Sequence, residues 1–143
     1  PNKIIFSVPE SATRESKERA LNEWYRQDLK RVLANITKSI EQKMGISANE
    51  YRVKNMKTKW GTCNIEKRRI WINLQLAKKP SECLEYIVTH ELVHLIEKNH
   101  THRFHALVEK YYPAWKDAQK KLEQMPLEHL ESEEQLFNEE KSN

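Results

Sequence analysis

Apolar side chains recur at helical spacing over the first third of the chain. Intervals of three and four residues place such side chains on one face of a helix, so we predict a helix over residues 11–44, ended by Gly45. An aromatic pair at this spacing is expected to belong to the core rather than to a ligand site. The stripe comprises Leu21, Trp24 or Tyr25, Leu29, Val32 or Leu33, Ile36, Ile40 and Met44.

The middle of the chain changes to the two-residue alternation of strands. We predict strands over residues 51–58 and 69–76, the second with Ile70, Ile72 and Leu74 on one face. Between them, residues 60–64 are predicted to form a turn or bend. The favoured interpretation is that Trp60 fills the core and Gly61 makes a bend. The alternative is that Gly61 lets the backbone approach a cleft closely.

The helical pattern returns in the second half of the chain. A strongly apolar helix is predicted over residues 81–96, with Ser81 as its N-cap, and another over residues 102–124, split or kinked by Pro113. The predicted fold is α+β, with a long N-terminal helix, a short β-sheet, an apolar helix and a C-terminal helix. We expect one domain over residues 1–125 and an acidic tail over residues 126–143.

Candidate chemistry lies on the apolar helix, in the segment His90-Glu91-Leu92-Val93-His94. Positions i and i+4 lie one turn apart on the same helix face, so His90 and His94 can hold one metal ion. Glu91 lies close by and can take a proton from a metal-bound water. This H-E-x-x-H pattern is typical of zinc hydrolases, mostly peptidases. A helix this apolar packs in a core, where three polar side chains need partners that a metal supplies.

A catalytic zinc ion usually takes three protein ligands and leaves one position for water. His100 is the favoured third ligand, but on a continuous helix it would lie on the wrong face. The helix must therefore end before it, and Asn99, which tolerates the left-handed conformation, can provide that end. His102 and a downstream carboxylate, Glu109 or Glu123, are the alternatives.

Composition and charge narrow the possible cellular location and partners of the protein. Cys63 and Cys83 form no metal-binding or disulfide pattern, and the apolar runs are too short to span a membrane, which favours a cytoplasmic protein. The whole chain carries +4, but residues 123–143 contain seven glutamates and one lysine, so this stretch carries −6 and residues 1–122, the basic body, carry +10. A basic body can attract phosphate-rich partners, although no nucleic-acid-binding motif is recognised.

Several segments together resemble one family. They are Lys57-Thr58-Lys59-Trp60-Gly61-Thr62-Cys63, Ile70-Trp71-Ile72-Asn73-Leu74, the helix around the pentad, Asn99-His100-Thr101 with Phe104, and Pro113-x-Trp115 with Leu122. They resemble motifs of the YgjP-like metallopeptidase-domain proteins, which are related to the SprT-like and WLM zincins. The resemblance covers about residues 21–122, and His105 stands where the family usually has Trp.

The resemblance implies a compact zincin with His90, His94 and His100 as zinc ligands and Glu91 as the base. It also implies that family members commonly carry a further strand-rich N-terminal segment, which this chain, opening on Pro1, is expected to lack or largely lack. Some relatives carry a nucleotide pyrophosphatase label with UTP as the named substrate.

We therefore expect a zinc-dependent hydrolase with one ion, acting on a peptide or protein. A metal-dependent nucleotide (UTP) pyrophosphatase and a non-catalytic module pinned by zinc are the alternatives. A second donor to the oxyanion is usual, and Asn99, His102, His105 and the backbone near Gly61 are the accessory candidates. Ligand histidines also need outer hydrogen-bond partners, for which Asn73, Thr89 and nearby glutamates are candidates that spacing alone does not separate.

Overall fold

The computed structural model describes residues 13–124 and Leu127. Four α-helices and three strands appear in the order α1, β1, β2, β3, α2, α3, α4, with a 3₁₀ helix between β3 and α2. The fold is thus α+β, as the sequence predicted. The bounds are α1 Arg14–Met44, β1 Glu50–Lys54, β2 Gly61–Asn64, β3 Arg69–Asn73, 3₁₀ Leu74–Lys78, α2 Ser81–Val93, α3 His102–Tyr111 and α4 Trp115–Gln124.

Helix α1 follows the predicted apolar stripe, and both of its ends are capped. The Thr13 side chain accepts a hydrogen bond from the Ser16 amide, which satisfies an otherwise free donor of the first turn. Gly45 ends the helix with φ 69, a left-handed conformation that costs glycine little. The core prediction holds for Tyr25, which packs against the core, but is wrong for Trp24, which is 38% exposed.

The sheet has the order β1-β3-β2, with β1 parallel and β2 antiparallel to β3. Segment 60–64 was predicted as a turn, and this is wrong, because residues from Gly61 onward pair with β3. The predicted strands were also too long. β1 ends at Lys54, and β3 ends at Asn73, where the chain enters the 3₁₀ helix. The Asn73 side chain accepts from the Gln75 amide and caps that helix.

The core lies between one face of the sheet and the helices. Val53, Ile70 and Ile72 project from that face and are buried. Helix α2 is buried along most of its circumference, which agrees with its near-continuous apolar sequence. Its start differs from the prediction, because Pro80 is the N-cap and Ser81 is the first helical residue.

The C-terminal helix is split where proline predicted it. α3 ends at Tyr111, Pro113 lies in the connection, and α4 begins at Trp115. Thr101 caps α3 by accepting from the Phe104 amide. Leu127 is buried, while the rest of the predicted acidic tail lies outside the described residues, so the domain boundary stays a prediction. None of the described helices combines the length and apolarity needed to cross a bilayer.

Candidate metal centre

Three histidines, two from α2 and its C-cap and one from the loop that follows, lie close together at the end of α2. His90 lies in the last turn of α2, His94 is the residue that caps it, and His100 lies in the loop before α3. One ring nitrogen of each lies within 4.8 Å of the others, which is the spacing of ligands around a single ion. The structure therefore brings together the three histidines predicted as ligands. No other group of His, Cys, Asp or Glu in residues 13–124 has this geometry.

The path between His94 and His100 differs from the prediction in two respects. Helix α2 ends at Val93 rather than reaching residue 96, and the amides of His94 and Leu95 bond to carbonyls three residues back, as in a tightened last turn. The His94 Nδ1 donates to the Lys98 carbonyl over 3.0 Å. A left-handed Asn99 was predicted as the stop, and this is wrong, since Arg68 and Gly45 are the only residues in the described chain with positive φ.

Burial sets the protonation of the three imidazoles. It is the largest cause in each case, with neighbouring histidines adding repulsion, and it lowers the pKa of His90 to about 3 and that of His94 to about 4. The pKa of His100 is also lowered, again mainly by burial. All three rings are therefore neutral near pH 7 and offer lone pairs. The Nε2 atoms of His94 and His100 are buried and find no hydrogen-bond partner among the described residues.

Glu91 lies beside the histidines and is 1% exposed. Its Oε1 has no hydrogen-bond partner in the described part of the structure. Burial raises the pKa of this carboxyl to about 8, while the Lys59 ammonium acts in the opposite direction. A buried carboxyl with a pKa near neutrality is suited to exchanging a proton with a reacting group.

Phe104 connects the three histidines. Its ring centroid lies 4.9 Å from that of His90, 4.6 Å from that of His94 and 4.8 Å from that of His100. The side chain is fully buried, and its amide is held by the Thr101 cap. Sequence reasoning placed Phe104 in a family motif and on the apolar side of the last helix but missed this contact. The available signal was its position one helical turn after His100.

Strand β2 forms a wall beside Glu91, at the point where Gly61 begins it. A Cβ added to Gly61 would lie 2.8 Å from Ile87 Cγ2 and 3.3 Å from Glu91 Cγ. Glycine is therefore required by close approach, which was the alternative interpretation of the sequence, and Gly61 begins a strand rather than making the favoured bend. The thiol of Cys63, two residues along, has its pKa raised to about 12, mainly by burial, which makes it a poor nucleophile.

The loop that leads into β2 is fixed by one buried amide. Asn73 is fully buried, and its Nδ2 donates to the carbonyls of Met56 and Lys59 over 2.9 and 2.6 Å. Its backbone amide donates to the Trp60 carbonyl. Asn73 therefore holds the loop before β2, and its hydrogen bonds go to this loop rather than to a histidine, for which it was one candidate partner. Thr89, the other candidate, donates to the Glu85 carbonyl.

The remaining candidates lie outside the histidine cluster. His102, His105 and Asn99 are exposed. The ring of His105 contacts Phe104 at 5.8 Å between centroids, and its charge would act on His90 and His100. Glu109 and Glu123, the alternative ligands, are also exposed and are not members of the cluster.

The fold is similar to that of two solved metallopeptidase zymogens. The chain is similar to the metallopeptidase zymogen abylysin of Pyrococcus abyssi, with 20% identity, a TM-score of 0.56 and coverage of 65% of this chain and 90% of that one. It is similarly related to the zymogen jannalysin of Methanocaldococcus jannaschii, with 23% identity, a TM-score of 0.57 and coverage of 65% and 95%. At these identities the likeness shows the fold alone.

A family model described as "YgjP-like, metallopeptidase domain" matches residues 1–125, and the chain belongs to this family. The resemblance seen in the sequence is thereby confirmed. No curated protein sequence is significantly similar to the chain. Family and fold together support a metal-dependent peptidase, whereas no comparison supports a nucleotide or nucleic-acid partner.

Proposed function

We propose that the protein is a zinc-dependent metallopeptidase in which His90, His94 and His100 hold one ion and Glu91 is the general base. The observation that carries this proposal is the convergence of three neutral imidazoles, two with unpartnered Nε2 atoms, within 4.8 Å. This donor set fits zinc, because imidazole suits zinc better than the harder magnesium or calcium ions, which prefer oxygen ligands. Three protein ligands also leave a fourth position open.

When bound, zinc would lower the pKa of a water molecule and polarise the substrate carbonyl. Glu91 then accepts the proton of the attacking water and passes it to the leaving amine. Its burial supports this role, because a zinc site that only pins the fold has no use for a buried carboxyl without a partner.

Strand β2 supports a peptide as the substrate. It lies at an edge of the sheet, so one side of its backbone is not paired with another described strand, and it begins at Gly61 beside Glu91. Extended peptides bind such edges through main-chain hydrogen bonds. We therefore expect the substrate to lie along β2, with its scissile carbonyl near Glu91 and the backbone near Gly61 as the accessory donor.

The substitution Glu91→Gln tests the proposal. Glutamine is nearly isosteric but cannot take a proton, so zinc content should be kept while hydrolysis of casein falls about 10²-fold or more. Glu85→Gln is the matched control on the same helix, because Glu85 is held near Tyr112 and away from the site, and it should keep its activity. Zinc content is measured by mass spectrometry of the native protein.

Three other results would reject parts of the proposal. Undiminished hydrolysis by Glu91→Gln would exclude Glu91 as the base. Hydrolysis of UTP but not of casein by the wild type would favour the pyrophosphatase alternative. Full zinc occupancy without hydrolysis of either substrate would favour the zinc-pinned, non-catalytic module.

A further inference from the structure

The sheet has a second face, opposite the core, whose central side chain is Trp71. Within the sheet, Trp71 pairs with Arg52 on one side and Thr62 on the other. Side chains alternate between the two faces of a strand. Since Val53 and Ile72 point into the core, Arg52 and Trp71 point away from it, and this outer face carries polar residues around one half-buried indole.

Two cations of β1 lie over the Trp71 ring. Lys54 Nζ is 4.5 Å and Arg52 Cζ is 5.5 Å from the ring centroid. Both side chains are exposed, and Arg52 is partly neutralised by Glu50, which also pairs with Arg69. Because both cationic side chains are exposed, a ligand can draw them from the ring onto its own negative charges, which frees the ring face for stacking.

Positive charge is concentrated in the segment that builds this face. Residues 50–71 contain seven lysines and arginines against two glutamates, a net of +5 in a chain whose total is +4. Half of the +10 of the basic body therefore lies in the sheet and its connecting loops. On the outer face itself, the cations are Arg52, Lys54 and Arg69, with Glu50 beside them. The partner of the face should accordingly be an anion with more than one negative charge.

We propose that the outer sheet face, defined by Arg52, Lys54, Thr62 and Trp71, binds single-stranded nucleic acid, with a base stacked on Trp71 and phosphates on Arg52 and Lys54. A single strand presents both a planar ring and an adjacent phosphate, whereas a duplex keeps its bases stacked on each other. An acidic peptide supplies the charges but seldom the ring. The inference is independent of the metal centre and rests on the charge and geometry of this face.

The test is a titration of a fluorescein-labelled oligothymidylate of about 15 nucleotides with the 143-residue protein at about 50 mM salt. Binding is measured as the rise in fluorescence anisotropy of the oligonucleotide. Trp71→Phe should retain binding, because phenylalanine also stacks. Trp71→Leu should weaken it by about tenfold or more, since one stacked base contributes about 1–3 kcal/mol. The double substitution Arg52→Gln and Lys54→Gln should reduce the slope of log affinity against log salt concentration by about 1.4 in magnitude. This corresponds to the loss of two phosphate contacts on a single strand.

A matched control separates this face from general electrostatic attraction. Lys110 and Lys116 also lie over aromatic rings, those of Tyr111 and Trp115, but on α3 and α4. Replacing both with Gln changes the net charge equally and should leave the affinity within about twofold. An equal loss in this control, or equal binding by Trp71→Leu and Trp71→Phe, would overturn the proposal.

Two further outcomes would also overturn it. The first is that the wild type binds no oligothymidylate, or binds a duplex of equal length as tightly. The second is that binding appears only when the chain is truncated after Leu127, which would make the acidic tail the occupant of the face. Measured dissociation constants decide between these outcomes without reference to peptidase activity.

Discussion

Phe104→Leu is expected to weaken zinc binding although Phe104 provides no ligand atom. The ring contacts all three proposed ligand histidines at centroid distances between 4.6 and 4.9 Å. It is fully buried, so it limits the rotation of each imidazole from one side. Leucine keeps the position apolar and favours a helix, but its smaller, non-planar side chain leaves space into which the imidazoles can turn.

The magnitude follows from two separate effects. Replacing phenylalanine with leucine in a core should lower the free energy of unfolding of the metal-free protein by about 1–2 kcal/mol. Loss of a group that orients metal ligands typically costs 10–100-fold in metal affinity, or about 1.4–2.7 kcal/mol. Because Phe104 contacts three ligands and not one, we expect the zinc dissociation constant to rise toward the upper end, about 100-fold.

Competition with a chromogenic zinc chelator at fixed pH measures the affinity, and thermal melting of the metal-free protein measures stability. Val108→Ala is the control, because Val108 is buried in the same helix one turn farther on. It should lower the melting temperature to a similar extent while the zinc affinity stays within about threefold of the wild type. If both variants lost zinc affinity equally, or if Phe104→Leu lost none, the orienting role of the ring would be refuted.

Three other experiments test further contacts. His100→Ala should abolish stable zinc retention in dialysis whereas His102→Ala should not, and the reverse would mean that the wrong histidine was chosen. Gly61→Ala should reduce peptidase activity and lower the free energy of unfolding by about 1–3 kcal/mol, because the added Cβ would clash with Ile87 and Glu91. Gly45→Ala is its control: the added Cβ would contact nothing, but φ is 69, so this substitution should lower stability without affecting activity. Truncation after Leu127 should leave melting and zinc content unchanged, whereas truncation before it should cost about 1.5–3 kcal/mol in stability; equal melting of both would show that the burial of Leu127 contributes nothing.

Much of the candidate site could be predicted because its geometry is local. The positions of His90 and His94 on one helix face follow from four-residue spacing alone. The need for a helix end before His100 follows from the same geometry, and α2 does end at Val93. The split of the C-terminal helix at Pro113 follows equally from the missing amide of proline.

The parts that could not be predicted depend on distant contacts. Strand β2 has only four residues, and its pairing with β3 is what makes it a strand. The sequence alone does not show whether Asn73 orients a histidine or holds a loop, because its amide could do either. The structure decides, since Met56 and Lys59 bring their carbonyls to the Asn73 amide. Trp24 fits the apolar period of α1 but lies at the edge of the stripe, where the helix faces solvent.

The residues of the proposed site also destabilise the metal-free fold. Glu91 lies between the core residues Val88 and Leu92, and its Oε1 has no hydrogen-bond partner among the residues described. Such a buried oxygen costs about 1–3 kcal/mol where an apolar side chain would contribute to packing. The unpartnered Nε2 atoms of His94 and His100 add to this cost. Such costs concentrate where residue identity is set by chemistry rather than by stability. Zinc bound only by the folded chain would offset them by about 4 kcal/mol at a free concentration a thousandfold above its dissociation constant. The same side chains that make α2 a poor core helix without the ion therefore make metal binding and folding mutually supporting.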